Sequence, residues 1–510
     1  MKFTKLIAEP KGLTTQMLWL AMAKGITLVL SFMLPFVLVR KLSQTQFGLY
    51  KQAFQIMTTA VSILGLQVAS SVYYFMPREP KKHAAIAQNV FLFYLSLGAI
   101  VASLFAVYPS WTNYIFQNDG LAPAIPMLGL AIMFWLGGSG IESVMIVNRD
   151  VRLASVFTLI LQSSKVALLI LAALVWSSIK ALIVAALLQG SLSWLMLFFY
   201  LRRRYGQFWF PIDWRLFKAQ IGNALPFGLG GIAAVAMNDL HNYFVSYHFE
   251  PAVFAIYATG CFQLPLMSVL FDAVETVLTP EFGRLESTRD HAQIIEIWMN
   301  AIRQLALVFI PICTLLFVVR YEFIVMLFTK NYVASAPIFA VNLVGVLLSI
   351  CIYMPVLRNV AEFRFFRVKL YLILLPISCV ALYVGIHQAG LLGAITAVVM
   401  MRALDIGISM TVIGHKLEIT LKQLKPLASI VRTAAAALMA ATVTYLLRLA
   451  LAHYPILMTL LTCSIVFSAL FVVSAFMTGA ITNQEKEELR KLWQRFFSST
   501  HIELSSESVR

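Results

Sequence analysis

The sequence predicts an all-α integral membrane protein, and three observations carry that prediction. Hydrophobic residues make up 60% of the 510 and charged residues only 12%, with 37 Phe and 21 Met. The mean hydropathy is +0.83. Apolar stretches of about 20 residues, the length a helix needs to cross a bilayer, recur along the whole chain. An ordinary soluble protein carries about 25% charged residues, and half that allotment cannot clothe so large a chain in a water-facing surface. A large soluble enzyme, a disordered chain and a disulfide-built secreted protein are excluded.

Fourteen stretches meet the length criterion. In order they run 16–38, 52–76, 86–108, 123–147, 153–176, 181–201, 221–247, 252–278, 296–319, 333–356, 368–387, 390–413, 427–449 and 454–478. Gly, Pro or charge interrupts the second, fourth, seventh and eighth. The first is too long for a cleavable signal peptide and has no small-x-small exit. The five cysteines, Cys261, Cys313, Cys351, Cys379 and Cys463, lie singly in apolar stretches. They read as small buried hydrophobes, not as metal ligands or disulfides.

The formal charge of +16, from 39 Lys and Arg against 23 Asp and Glu, suggests nucleic acid until the cations are placed on this map. With the N-terminus inside, 27 fall in cytoplasmic segments, seven in outer loops and five within spans. That asymmetry is the positive-inside rule, and an even number of spans returns both termini to the cytoplasm. The basic charge orients the protein; no nucleic-acid partner is expected. In the tail, Thr482 and Glu485 read as a capping box. Beyond it Leu489, Leu492, Trp493, Phe496 and Phe497 fall on one helical face, so the tail is either an interfacial helix or a solvated one.

Two segments about 207 residues apart resemble each other. Phe47-Gly48-Leu49-Tyr50 opens the second span and Phe254-Ala255-Ile256-Tyr257 opens the eighth, each followed by an echo, Phe54-Gln55-Ile56 and Phe262-Gln263-Leu264. Six spans lie between the copies, so the halves insert in the same orientation, the plan of several transporters with a substrate site between halves. The predicted organisation is two pseudo-symmetric six-helix lobes, 1–204 and 220–415, a cytoplasmic linker at 205–219, two extra helices in 416–480 and a cytoplasmic amphipathic tail at 481–510.

Arg40-Lys41-Leu42-Ser43 followed by Gln46-Phe47-Gly48-Leu49-Tyr50 resembles the opening of the O-antigen and exopolysaccharide flippases. These belong to the multidrug/oligosaccharidyl-lipid/polysaccharide exporter superfamily. The region of Asp239, Ala255-Ile256-Tyr257-Ala258, Leu264-Pro265-Leu266 and Leu278-Thr279-Pro280 is similar to the matching part of their second lobe. The resemblance implies transport of undecaprenyl-pyrophosphate-linked sugar from inner to outer leaflet of a bacterial cytoplasmic membrane. It also implies membrane lipids, a polysaccharide polymerase and glycosyltransferases as partners, and no cofactor.

Ionisable residues within spans are the functional signal read from the residues themselves. Lys24, Lys165, Arg303, Arg402 and Arg432 each cost about 2.5–3.5 kcal/mol at the bilayer centre, so none should face lipid. Arg402 and Asp405 are spaced to pair on one helix, and Arg303 and Arg432 are near enough to the cytoplasmic face to snorkel. The first lobe holds Lys24, Lys165 and Lys51 against one acid, Glu142. That imbalance calls for an anionic ligand, and Lys suits phosphate as a point charge; the alternative for Lys165 is a pair with Glu142. A cationic site of Lys24, Lys51, Lys165, Arg303 and Arg402 is expected. Asp239 lies on a span opening Leu225-Pro226-Phe227-Gly228-Leu229-Gly230-Gly231, which either bends as a gate with Asp239, Glu142 and Pro226 in coupling roles or packs closely through its small residues. Tyr50, Gln55, Asn238 and Tyr257 are candidate sugar contacts.

Three function classes are weighed. A lipid-linked saccharide flippase fits fourteen spans and a cationic first lobe; a cation or drug antiporter of the multidrug and toxic compound extrusion type shares the two-lobe plan but calls for acids. A polymerase or ligase resembles its kind in a large outer loop, and no outer loop here exceeds about fifteen residues. With no Walker A motif and no HExxH, an enzyme is not expected.

Overall fold

The predicted apolar spans fall largely on helix, and no strand occurs among the described residues. The computed structural model describes residues 13–117, 119–206, 212–359 and 366–480. The tail with its predicted amphipathic face lies outside them. The helices are α1 (Leu13–Lys41), α2 (Gln44–Leu64), α3 (Ser71–Phe75), α4 (His83–Val107), α5 (Trp111–Phe116), α6 (Ile125–Gly138), α7 (Ile141–Val147), α8 (Val151–Val175), α9 (Ile179–Tyr205) and α10 (Trp214–His248). They continue as α11 (Pro251–Gly260), α12 (Pro265–Ser287), α13 (His291–Val318), α14 (Arg320–Phe328), α15 (Ser335–Leu348), α16 (Met354–Asn359), α17 (Phe366–Lys416), α18 (Ala428–Ala450) and α19 (Ile456–Met477).

Among the described residues nine helices, or ten with one bent pair, are long and apolar enough to cross a membrane. The protein is a multi-pass all-α membrane protein. Part of the difference from fourteen has a physical cause. α17 joins two predicted spans across a reversal at Ala389 and Gly390, where Gly390 takes φ +54°. Three other spans are broken into pieces that are too short, or in α12 too rich in acids, to count singly. The second breaks at Gly65–Gln67, with a 46° bend between α2 and the helix that follows; Leu66 and Gln67 there both have positive φ. The eighth breaks between Gly260 and Pro265, and the tenth between Leu348 and Met354.

A broken helix strands backbone groups that the bilayer cannot satisfy, so side chains must do it. Tyr94 bridges the first break: its hydroxyl donates to the Gly65 carbonyl at 3.0 Å and accepts from the Ala69 N–H at 2.7 Å. Asn342 Nδ2 donates to the Phe262 carbonyl at 3.3 Å. The buried Trp298 indole donates to the Ile352 carbonyl.

The described residues form two compact units. One lies within Met1–Ser268, Leu327–Asn342 and Glu362–Met401, the other within Val269–Met326, Leu343–Ala361 and Arg402–Arg510. In the first, α4, α6 and α9 pack around Phe91, Leu136 and Leu197, and α2 joins α6 and α9 through Ala53, Met57, Ile132 and Ala186. Asp213 opens α10, accepting from the Leu216 N–H at 3.0 Å and the Lys82 ammonium at 3.0 Å. That backbone donor and the lysine hold its carboxyl below the ordinary carboxylate range. In the second unit, α18 and α19 pack on α13 through Ala440, Cys463 and Val318, and Arg448 Nε meets Glu322 Oε1 at 2.8 Å, both largely buried. The five cysteines are free thiols, Cys313 and Cys463 buried and the others half-buried.

Candidate functional site

The motif that carries the family resemblance builds a joint in the first unit. Ser43 and Gln46 form a capping box at the start of α2, which satisfies amide groups that a helix start leaves open. Arg40 reaches back to the carbonyl of Leu327 at 3.0 Å, in the last turn of α14, and Gln44 to that of Asn331 at 2.6 Å. Phe47 is fully buried against Tyr332. Gly48 sits where a Cβ would land on the Pro251 carbonyl, so α2 and α11 touch backbone to backbone. Phe254 and Tyr257 are buried on the other side of that contact. The two copies of the internal repeat thus pack against one another. Tyr50 and Tyr257, expected as sugar contacts, are core residues; the Tyr257 hydroxyl bonds His241 Nδ1 at 2.8 Å. Asn238 is exposed on α10.

Beyond the joint, α2 turns a polar stripe inward at a spacing of four: Lys51, Gln55 and Thr59, each half-buried. Residues four apart are neighbours on one helical face. Thr59 Oγ1 donates to Asp239 Oδ2 at 2.8 Å. Gln55 Nε2 donates to Thr59 Oγ1 at 3.2 Å, and Asn242 Nδ2 to Gln55 Oε1 at 3.5 Å. A string of polar groups therefore ties α2 to α10, with Tyr243 stacked on Phe116 beside it. Thr59 and Asn242 were not among the residues expected from the sequence; the four-residue period from Lys51 is the signal that points to Thr59.

The same stretch of α2 meets the second lysine through aromatic rings. Phe54 packs edge-on against Trp135 at 6.1 Å between centroids, and the Lys165 ammonium lies 4.7 Å from the Trp135 ring centre. Trp135 is itself fixed, donating its indole N–H to the Ala186 carbonyl at 3.0 Å. Lys51 lies 5.5 Å from the Phe47 ring centre. Both lysines are half-buried, and among the described residues neither has a carboxylate within 4 Å. The expected Lys165–Glu142 pair is not formed: Lys165 turns onto Trp135, while Glu142 lies half-buried in the first turn of α7. Asp239 likewise has no cation within 4 Å among the described residues. The side chain of Lys24, on α1, lies outside the described residues.

α10 runs as one helix through Pro226. Its glycines bring it close to the break in the second span, where a Cβ on Gly228 would come within 2.6 Å of the Leu66 carbonyl oxygen. Gly228 thus has a packing role.

In the second unit, Arg303 is half-buried on α13. The expected Arg402–Asp405 pair is replaced by two separate contacts. Arg402 Nη1 donates to the Gly345 carbonyl at 3.2 Å, one of the last four in α15 and so without a partner inside that helix. Asp405 instead accepts from the Tyr353 hydroxyl at 2.7 Å. Arg432, expected to snorkel, is exposed on α18. Arg303 and Arg402 therefore lie in a different compact unit from Lys51 and Lys165. Among the described residues no cluster of three His, Cys, Asp or Glu is placed to hold a metal ion.

Comparisons with known proteins agree with this architecture. A family described as polysaccharide biosynthesis protein matches residues 37–337. No curated protein matches the sequence. The fold is similar to that of the lipid II flippase MurJ in an inward closed conformation, with a TM-score of 0.70 at 12% identity, over 90% of this chain and 98% of that one. An outward-facing multidrug resistance MATE family transporter of the MOP superfamily matches with a TM-score of 0.56 at 13% identity, over 79% and 95%. The Vibrio cholerae MATE transporter VcmN matches with a TM-score of 0.55 at 13% identity, over 80% and 98%.

Proposed function

Since this chain belongs to the polysaccharide biosynthesis protein family, we propose that it is a flippase in surface polysaccharide synthesis. It moves undecaprenyl-pyrophosphate-linked oligosaccharide across the bacterial cytoplasmic membrane by alternating access, through fourteen crossings with both termini inside. Its partners are the lipid-linked saccharide, the surrounding lipids, and the polymerase and glycosyltransferases that act after and before it. It is a transporter and not an enzyme.

The observation that carries this reading is the pair of lysines, Lys51 on α2 and Lys165 on α8, half-buried and without a carboxylate in reach among the described residues. A cation in an apolar setting needs a counter-charge. A pyrophosphate supplies one, and an organic cation, the cargo of the antiporter alternative, repels it. Trp135 holds the Lys165 ammonium between visits, since a ring face attracts a cation by about 0.5–2 kcal/mol. A dianionic headgroup offers more charge than a ring quadrupole, so the lysine can turn from one to the other.

Purified protein in vesicles is expected to move a fluorescent polyprenyl-pyrophosphate-linked saccharide between leaflets and to leave an organic dye cation where it is. Dye movement without lipid movement overturns the proposal in favour of the antiporter.

Asp239 is the coupling residue in this scheme, with Glu142 and Pro226 in supporting roles. An outside-positive potential already does about 2.3 kcal/mol of work per charge per 100 mV on an anion moving outward. A proton or sodium ion adds to that only if it binds a carboxylate that α2 and α10 share, as Thr59 and Asp239 do. Asp239→Asn should therefore make vesicle transport independent of a proton or sodium gradient while the potential still drives it. Unchanged gradient dependence in that variant removes Asp239 from the coupling role.

A further inference from the structure

Away from the lysines and Asp239, two histidines of the first unit stand side by side. His248 is the last residue of α10, and His387 lies two residues before the reversal in α17. Both are exposed, with ring centroids 5.8 Å apart and ring planes at 84°. Each Nδ1 lies 2.8 Å from the carbonyl oxygen one turn earlier, Phe244 for His248 and Tyr383 for His387. A carbonyl can only accept, so each Nδ1 carries the hydrogen. In the neutral ring each Nε2 then keeps its lone pair.

A metal-ligating imidazole is built in this way, with one nitrogen tied to a carbonyl so that the other is fixed in tautomer and direction. The spacing also fits. With metal–nitrogen bonds of about 2.0–2.1 Å, two imidazoles on one tetrahedral ion have ring centres roughly 5–6 Å apart. The rings are held by their neighbours: Tyr383 packs on His387 at 4.2 Å and Tyr247 on His248 at 5.0 Å between centroids. Val245, Leu382 and Ile386 lock the two helices together just beneath.

We propose that His248 and His387 form a two-nitrogen site for a divalent transition-metal ion of the zinc, nickel or copper class, which imidazole suits. Water completes the coordination, because no cluster of three ligating side chains exists among the described residues. The ion joins the end of α10, the helix of Asp239, to the turn of α17. The span order read from the charges puts both histidines on the outer side, so the ion comes from the medium and not from the cytoplasm. This site does not depend on the lysines or on the flippase assignment.

The test uses the full-length protein purified without a polyhistidine tag, because six other histidines are present and a tag would swamp them. Titration with Zn²⁺ should show a site that weakens about tenfold or more in His248→Ala and equally in His387→Ala. The Cu²⁺ electron paramagnetic resonance spectrum should carry two nitrogen ligands in the parent and lose at least one in each variant. Zn²⁺ should raise the melting temperature of the parent alone. Glutamine variants replace the alanine ones should those fail to fold, judged by melting without metal. Parent-like Zn²⁺ affinity in either variant, or no Zn²⁺ binding by the parent, overturns the proposal and leaves the pair as an aromatic contact.

Discussion

Lys165→Met is expected to abolish export of the surface glycan while the protein reaches the membrane in the same amount and melts at the same or a higher temperature. The sign of the stability change separates a ligand role from a structural one. A lysine held only for packing contributes its contact with Trp135, about 0.5–2 kcal/mol, and its loss would destabilise the fold. A lysine kept for an anion is a charge stranded in an apolar setting when the ligand is away, at a cost of about 2.5–3.5 kcal/mol near the bilayer centre. Replacing it with an apolar side chain of similar length removes that cost. Lys51→Met should behave in the same direction. Lys165→Arg keeps the charge but spreads it over a planar fork, so partial export is expected. Export is read by complementation of a strain lacking its own exporter, and stability by thermal melting in detergent. Normal export in both methionine variants ends the cationic-site reading; lost export with a lowered melting point assigns Lys165 to the scaffold.

The fold class was legible because it rests on composition and length, which tertiary contacts cannot change. The predicted spans fall largely on helix, and the sequence marks the second and eighth as interrupted by Gly, Pro or charge without saying how an interruption is tolerated. The breaks at Gly65–Gln67 and after Gly260 depend on distant partners such as Tyr94 and Asn342, whose hydrogen bonds make an unwound backbone tolerable in lipid. Pairing choices failed for the same reason. Arg402 and Asp405 are spaced to meet, but an open carbonyl at the end of α15 and a tyrosine hydroxyl lie closer to hand, and neither is visible from helical spacing.

The site was half legible. Lys165 and Asp239 stood out as charges in apolar runs, whereas Trp135 and Thr59, which hold them, are ordinary residues for a membrane span. Tyr50 and Tyr257, expected as sugar contacts, lie instead buried in the repeat that forms the contact between α2 and α11.

That contact underlies the second large effect: Gly48→Ala should deplete the protein itself. A methyl group there meets the carbonyl of Pro251, and neither side can yield by turning a side chain, because both are backbone. Overpacking of a close-packed interior costs about 1–3 kcal/mol where side chains can shift, and this site sits at or above the top of that range. The change also gains about 1 kcal/mol of helix propensity, which the clash outweighs. Gly222→Ala supplies the control: no atom lies within 4 Å of its added methyl, so only the propensity gain remains and the melting temperature should hold or rise. Both variants lie on helices of the same unit, and the measurement is membrane abundance together with melting of the purified protein. Gly48→Ala therefore loses export through loss of protein, where Lys165→Met loses it at full abundance. If Gly48→Ala melts like the parent, α2 and α11 are not in backbone contact, and the resemblance motif needs another reason for its glycine.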